Sequence, residues 1–170
     1  SNIIYSIKQA DDNCLWVSTH LGVNRFCPDS KQVTANYEFS GDYCLYSNTK
    51  GNTWVIGKDW IKFYNVKQKK FIEVSRPDYT ISNLESRAFV TDDGALWVFP
   101  SGTGNVYHYS LNEFGQEKTQ KKLSILYSQF HNNPINNIYY EHGVLCFIDA
   151  KQDLYMYDIS RKSKLYIRNI

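Results

Sequence analysis

Residues 11–19 read DDNCLWVST and residues 22–26 read GVNRF. This motif recurs three more times along the chain, each time with fewer matching residues than in the first unit. The echoes begin near residues 50, 92 and 141. The phrase is anchored at Trp16, Trp54, Trp97 and Cys146, which follow one another at intervals of 38, 43 and 49 residues. A repeat of about 40 to 50 residues is typical of the four-stranded blades of a β-propeller, so the repeat decides the architecture before any single residue does.

Alternating segments between turns predict strands in every unit. In the first unit Ile3, Tyr5 and Ile7 share one face, and Asp and Asn at residues 11–13 are turn formers. No unit shows the three- and four-residue apolar spacing of a helical repeat. The predicted fold is all-β, a β-propeller segment of about four four-stranded antiparallel blades. The predicted blades cover approximately residues 3–39, 43–74, 86–127 and 135–168, and the fourth strand of the third unit is predicted at 122–127.

Composition narrows the classes of function. The chain has 19 basic and 17 acidic residues, and a net charge of +2 argues against a nucleic-acid partner. The basic runs 67–70 and 118–122 are predicted to be solvated hairpin tips between third and fourth strands. No run of eighteen apolar residues predicts a membrane span. Residues 1–2 have the character of a remnant of a cleaved tag, and we expect a segment excised from a longer protein.

The cysteines do not predict a metal site. Cys14, Cys27, Cys44 and Cys146 have no CxxC spacing, so neither zinc nor a cofactor is expected. Buried, reduced thiols are the default expectation. In an oxidising compartment, Cys14 and Cys44 are the pair that neighbouring blades could bring together.

No catalytic constellation is present in the sequence, and this segment is not predicted to be an enzyme. The acidic pairs at residues 11–12 and 92–93 occupy the same turn of the repeat, which favours turn formers over paired catalytic carboxylates. His108 lies in a predicted strand and His142 in a hairpin turn, so both are interpreted as structural. The mid-strand tryptophans are interpreted as packing residues between blades.

The geometry of a propeller blade predicts which loops lie on the same face. In a four-stranded meander, the loops between the second and third strands share a face with the links between blades. These loops differ most between the units, and variable loops on a regular scaffold are where binding usually occurs. Trp60 stands where Gly22 stands in the first unit; its ring either stacks on a sugar or partner, or folds over the blade edge. The candidate ligand-binding residues on this face are His20, Lys58, Asp59, Trp60, Arg76, Tyr79 and His131.

The sequence from Ile4 to Phe26 resembles the two-component regulator propeller repeat, roughly I-x-x-I-x-x-D-x-x-G-x-L-W-[IV]-G-T-x-x-G-[LV]-x-R-[FY]. Asn13 and Ser18 replace the first two of its three motif glycines, and Gly22 keeps the third. In that family the repeats form the periplasmic sensor region of membrane-anchored hybrid histidine kinases, commonly with seven-bladed propellers. The resemblance implies signal transduction in response to oligosaccharides, in the periplasm. It supplies no ligand residues, because the motif residues are structural.

Two other roles stay open. One is a scaffold or dimerisation module without its own ligand site; the other is a propeller lyase or glycosidase, which would need clustered His, Arg or carboxylate groups on the loop face. Four blades of a seven-blade design also leave an open arc with apolar end faces. We therefore expect either self-association through the end blades, within a receptor dimer or otherwise, or a closed four-blade ring.

Overall fold

The computed structural model describes residues 3–10, 12–75, 87–100, 107–111, 117–122, 135–149, 151–161 and 163–167. Within these ranges the chain is all-β and forms four antiparallel sheets of four consecutive strands, which we call blades 1 to 4. This confirms the predicted fold class. Each strand pairs with its neighbour in sequence, as short turns between antiparallel strands require.

The strand bounds follow the repeat closely. Blade 1 contains β1 (Ile4–Gln9), β2 (Leu15–Thr19), β3 (Gly22–Cys27) and β4 (Gln32–Glu38). Blade 2 contains β5 (Tyr43–Ser47), β6 (Thr53–Gly57), β7 (Ile61–Asn65) and β8 (Lys70–Ser75). Blade 3 contains β9 (Arg87–Val90), β10 (Leu96–Phe99), β11 (Tyr107–Leu111) and β12 (Glu117–Lys122). Blade 4 contains β13 (Ile135–Glu141), β14 (Val144–Asp149), β15 (Leu154–Asp158) and β16 (Ser163–Ile167).

One strand differs from its predicted position. The fourth strand of blade 3 is not at residues 122–127 but at 117–122, where it pairs with β11 from Tyr107↔Lys122 to Leu111↔Glu117. The basic run 118–122 therefore belongs to a strand and not to a hairpin tip. An outermost strand pairs with a neighbouring strand on one side only. A polar sequence such as EKTQKK can therefore form this strand without apolar residues. Residues 123–127 lie outside the described ranges.

The first strand of each blade is the inner strand. β1 packs against β5, β5 against β9, and β9 against β13, so the blades follow one another around an arc. Over the described residues the four sheets are not closed into a ring. The alternative of a closed four-blade ring is therefore wrong.

The three anchoring tryptophans are buried, and each faces the next blade along the chain. Trp16 meets the ring of Tyr64 edge-on, with 4.7 Å between centroids. Trp54 packs among blade 3 residues and donates its indole N–H to the Gly94 carbonyl at 3.0 Å. Trp97 packs among residues of blade 4. The predicted packing role of the tryptophans is confirmed, and all three face in the same direction along the chain.

Acidic side chains hold the first turns of blades 1 and 3, as predicted. Asp12 accepts a hydrogen bond from the Cys14 amide at 3.4 Å and forms an ion pair with Arg25. Asp93 accepts a hydrogen bond from the Ala95 amide at 3.3 Å. These carboxylates therefore satisfy turn amides.

Cys14 and Cys27 form a disulfide, which corrects both the expectation of reduced thiols and the suggested Cys14–Cys44 pair. The β2–β3 hairpin places Leu15 opposite Phe26, so the next pair outward is Cys14 and Cys27, with Cα atoms 4.2 Å apart. The hairpin register thus makes Cys14 and Cys27 neighbours across two paired strands, whereas Cys44 lies in β5 of the next blade. Cys44 remains a half-buried thiol, and burial raises its pKa.

Candidate functional site

Four of the seven predicted ligand-binding residues lie within the described residues. His20 follows β2, while Lys58, Asp59 and Trp60 connect β6 to β7, so all four occupy loops between second and third strands, as predicted. His20, Lys58 and Asp59 are exposed. The other three predicted residues lie outside the described ranges: Arg76, Tyr79 and His131. Ligand binding on this loop face stays a prediction.

Trp60 folds onto the edge of blade 2 and is half-buried. Its ring lies against Gly57 so closely that an added Cβ there would come within 2.2 Å of Cε2. The ring also packs on Phe39, with 5.4 Å between centroids, and the Lys62 ammonium lies 4.6 Å from its centroid. A cation over an aromatic face is attracted by the ring quadrupole. A sugar stacking on that face of Trp60 would therefore have to displace Lys62.

The contrast between Trp60 and Gly22 has a backbone cause. Gly22 lies inside the ladder at a φ of 141°, and a Cβ there would lie 2.1 Å from the Tyr37 carbonyl oxygen. No side chain fits that space. Trp60 precedes β7 and lies outside the ladder, with its carbonyl accepting the Gly57 N–H at 2.9 Å. The second unit can therefore carry a large side chain where the first unit requires glycine.

A pocket of about 520 Å³ opens on the face of the arc that lies opposite to this loop face. It is formed where the four inner strands end, together with the turns that follow them. Each inner strand contributes to the wall, with Lys8 from β1, Tyr46 from β5, Phe89 from β9 and Tyr139 from β13. We call this space the inner-strand pocket.

Aromatic rings form much of the wall of the inner-strand pocket. Phe89 and Tyr140 stack with 4.7 Å between centroids and 8° between planes, and the Tyr140 hydroxyl accepts the Asp92 amide N–H at 3.4 Å. Burial raises the pKa of Tyr46 and of Tyr140. Tyr139 is 60% exposed and donates to the Glu141 carboxylate at 3.0 Å, a bond that raises the pKa of Tyr139. The phenols therefore stay protonated at neutral pH.

Polar bonds tie the walls of the pocket to one another. The Asn48 amide donates to the Thr91 carbonyl at 2.7 Å, which joins the first turn of blade 2 to blade 3. Its oxygen accepts the Lys50 amide N–H at 3.0 Å, which shapes the turn. The Ser47 hydroxyl donates to the Gln9 carbonyl at 3.4 Å, which joins blade 2 to blade 1. A pocket whose walls are bonded together in this way is largely preformed.

The basic and acidic side chains at the pocket lie on different blades. Lys8 and Lys50 stand on blades 1 and 2, whereas Asp92 and Glu141 stand on blades 3 and 4. The Glu141 carboxylate lies 3.8 Å from Nδ1 of His142. All five side chains are exposed at the rim. The pocket therefore presents a cationic half and an anionic half.

The sequence pattern did not lead us to this pocket, although a signal exists. Lys8, Tyr46 and Phe89 each stand eight residues before the anchoring tryptophan of their blade. The same repeat position thus carries a cation, a phenol and a phenyl ring at neighbouring places on the inner wall. Variation at one inner-strand position is as informative about binding as variation in a loop.

The described part of the chain lacks two kinds of feature. Within it, no group of three or more His, Cys, Asp or Glu side chains could hold a metal ion. A helix with the length and apolar character to cross a membrane is likewise absent from these residues. The undescribed ranges include 76–86 and 123–134, which carry three of the predicted ligand-binding residues.

No family model matches this chain, and no curated protein sequence matches it. Solved structures match its fold. The extracellular domain of BT4673 from B. thetaiotaomicron, described as a one component system in one structure and as a hybrid two component system in another, is 18% identical. In the first of these the TM-score is 0.69, and the match covers 99% of this chain and 24% of that one.

Enzymes also share the fold. Hydrazine synthase from Kuenenia stuttgartiensis matches with a TM-score of 0.65 and 13% identity, over 99% of this chain and 51% of that one. Virginiamycin B lyase from Staphylococcus aureus matches with a TM-score of 0.63 and 14% identity, over 97% of this chain and 55% of that one. The chain thus spans between a quarter and about half of these structures. At such identities the likeness establishes a propeller-like fold and leaves activity to the site.

Proposed function

We propose that this chain is part of the periplasmic sensor region of a membrane-anchored hybrid two-component histidine kinase, and that it serves signal transduction in response to oligosaccharides. In this proposal the segment is a sensor and not an enzyme. The observation that carries it is the fold match over 99% of the chain to the extracellular domain of BT4673, at a TM-score of 0.69. The phrase at residues 11–26, which resembles a sensor propeller repeat, supports the same proposal.

The Cys14–Cys27 disulfide supports a location outside the cytoplasm. Disulfides form and persist in oxidising compartments such as the bacterial periplasm and are rare in the cytosol. This support is independent of the fold match, because it depends on chemistry within one hairpin of blade 1.

In the proposed mechanism, ligand binding shifts the equilibrium between two arrangements of a receptor dimer. A ligand shifts such an equilibrium only by its difference in affinity for the two arrangements. The half-buried Trp60, with Lys58 and Asp59 beside it, supports placing the oligosaccharide on the loop face, since an aromatic ring and exposed polar groups suit a sugar.

The proposal is tested by titrating the chain with a panel of oligosaccharides in a calorimeter and then repeating the titration with variants. We expect binding of at least one oligosaccharide, weakened about tenfold in Trp60→Ala and less strongly in Lys58→Ala. Lys67→Ala is the matched control, because Lys67 is an exposed lysine in the turn between β7 and β8. Absence of binding across the panel, or equal losses in Lys58→Ala and Lys67→Ala, would count against the proposed loop-face sensor.

A scaffold or dimerisation role is the second candidate, and one observation favours it. Blade 1 exposes large apolar side chains on the face that points away from blade 2, including Ile7 and Val33. Exposed apolar patches mark interaction sites. If this role is the main one, the chain associates with itself at all ligand concentrations and binds no oligosaccharide.

A further inference from the structure

Three of the four charges that flank the inner-strand pocket form no ion pair within the described part of the chain, whereas Glu141 accepts a hydrogen bond from Tyr139 and lies near His142. Among the described residues, the ammonium groups of Lys8 and Lys50 and the carboxylate of Asp92 form no ion pair. The two cations stand on one half of the arc and the anions on the other. Charge arranged in this way favours a ligand of complementary arrangement and disfavours ligands of a single sign, since unlike charges attract across the site.

We propose that the inner-strand pocket binds a small zwitterion, namely a free amino acid or a short peptide. Its carboxylate faces Lys8 and Lys50, and its ammonium faces Asp92 and Glu141. The inference goes beyond the proposed function, because the pocket lies on the face of the arc opposite to the loops assigned to oligosaccharides. It adds a second ligand class at a separate site.

The size and lining of the pocket fit this class of ligand. A volume of about 520 Å³ lies within the range of roughly 300 to 1,000 Å³ that small-molecule pockets occupy. Tyr46, Phe89 and Tyr140 provide aromatic surface for an apolar side chain of the ligand. β1, β5, β9 and β13 are edge strands, so their inner edges present backbone N–H and C=O groups that can bond a peptide unit.

The first experiment compares a charged dipeptide with its blocked form. The chain is titrated in a calorimeter with Gly-Phe, with free phenylalanine and with N-acetyl-glycyl-phenylalanine amide, which lacks both end charges. We expect Gly-Phe or phenylalanine to bind, and the blocked form to bind at least tenfold more weakly. Equal binding of the charged and blocked forms, or binding of neither, would overturn the inference. Which of the two charged probes binds more tightly distinguishes a peptide from a free amino acid.

The second experiment uses variants that keep the fold. Lys50→Ala and Asp92→Asn remove one charge from each half of the pocket, and we expect each to weaken the charged probe about tenfold. The matched controls are Lys67→Ala and Asp29→Asn, which remove exposed charges in turns away from the pocket. Equal effects of the pocket variants and the controls would overturn the assignment.

A third arm separates this inference from the proposed function. Maltotriose, a neutral oligosaccharide, is titrated into Lys50→Ala and Trp60→Ala. Sugar binding lost in Lys50→Ala but kept in Trp60→Ala would assign the pocket to a neutral ligand and overturn the inference while leaving a sugar sensor in place. Dipeptide binding lost in Lys50→Ala, with no binding of any oligosaccharide, supports the inference and contradicts the oligosaccharide proposal.

Discussion

Blades 1 and 2 present the same kind of backward face, meaning the face turned away from the following blade, but only one of the two is covered. Five apolar or aromatic positions correspond at a constant offset of 38 residues: Tyr5 and Tyr43, Ile7 and Leu45, Val17 and Val55, Phe26 and Tyr64, and Val33 and Phe71. The blade 2 members pack with Trp16 of blade 1. Ile7 is 55% exposed and Leu45 is 4% exposed. The difference teaches that a neighbouring blade, and not the sequence of the face itself, decides burial.

The hydrogen bonds repeat the contrast. The hydroxyl of Tyr43 donates to the carbonyl of Thr19 in the preceding blade, and burial raises the pKa of Tyr43. Tyr5, its counterpart in blade 1, is an exposed residue. Blade 1 therefore carries the features of a covered blade on a face that is open in this chain.

Removing the covering residue should have the largest effect. Trp16→Ala deletes the ring that packs on the backward face of blade 2, so we expect the free energy of unfolding to fall by about 3–5 kcal/mol. Val17→Ala, one residue away on the other face of the same strand, should cost about 1 kcal/mol. Urea denaturation followed by circular dichroism measures both. Similar losses in the two variants would contradict the assignment of the faces.

The counterparts Leu45 and Ile7 test the comparison directly. Leu45→Ala leaves a cavity between blades, and we expect a loss of about 2–5 kcal/mol. Ile7→Ala truncates an exposed side chain and should change stability by no more than about 0.5 kcal/mol. The same denaturation experiment measures both. A large loss in Ile7→Ala would show that the open face is covered in solution.

Reduction of the disulfide should have an intermediate effect on stability. Cys14 and Cys27 both contribute to the cluster that covers blade 2, and their bond closes a loop spanning a sequence separation of 13. We expect a reductant, or the double change Cys14→Ser and Cys27→Ser, to lower stability by about 2–3 kcal/mol. The control is a protein with Cys44→Ser and Cys146→Ser, which should keep its sensitivity to reductant. If the control loses that sensitivity, the assigned disulfide is wrong.

The open face itself should affect association more than stability. We propose that it mediates self-association, so Val33→Lys should lower the mass seen by light scattering at high concentration while stability changes by no more than about 0.5 kcal/mol. Val66→Lys is the matched control, because Val66 is 53% exposed in a turn, against 59% for Val33. A constant mass in the wild-type chain across the concentration series would contradict the proposal.

Most of the fold could be predicted from the sequence, because each rule used for it relates residues that are close together in the chain. The interval between Trp16 and Trp54 predicts a blade, and alternation along each segment predicts which residues share a face. The failure at β12 has a physical origin: EKTQKK contains no apolar residue, and an outermost strand is held by one ladder alone. Its register follows from β11 and not from its own pattern.

The disulfide was within reach of the sequence, whereas the pocket was only partly so. Once Thr19 and Gly22 flank a two-residue turn, every pair outward is fixed, and Cys14 falls opposite Cys27. The pocket depends on how four blades are spaced around the arc, which no local rule supplies. The position eight residues before each anchor indicates its inner wall, but its volume and its division of charge required the assembled blades.

The shared orientation of Trp16, Trp54 and Trp97 bears on how such a chain grows. Blades 1 to 3 each carry a tryptophan on the front, and blades 2 to 4 each receive one on the back. A tandem copy of such a unit brings both surfaces with it, so its front meets the back of the original without any new interface. An inverted copy would need two new surfaces. Gene duplication can therefore lengthen this architecture in a single step.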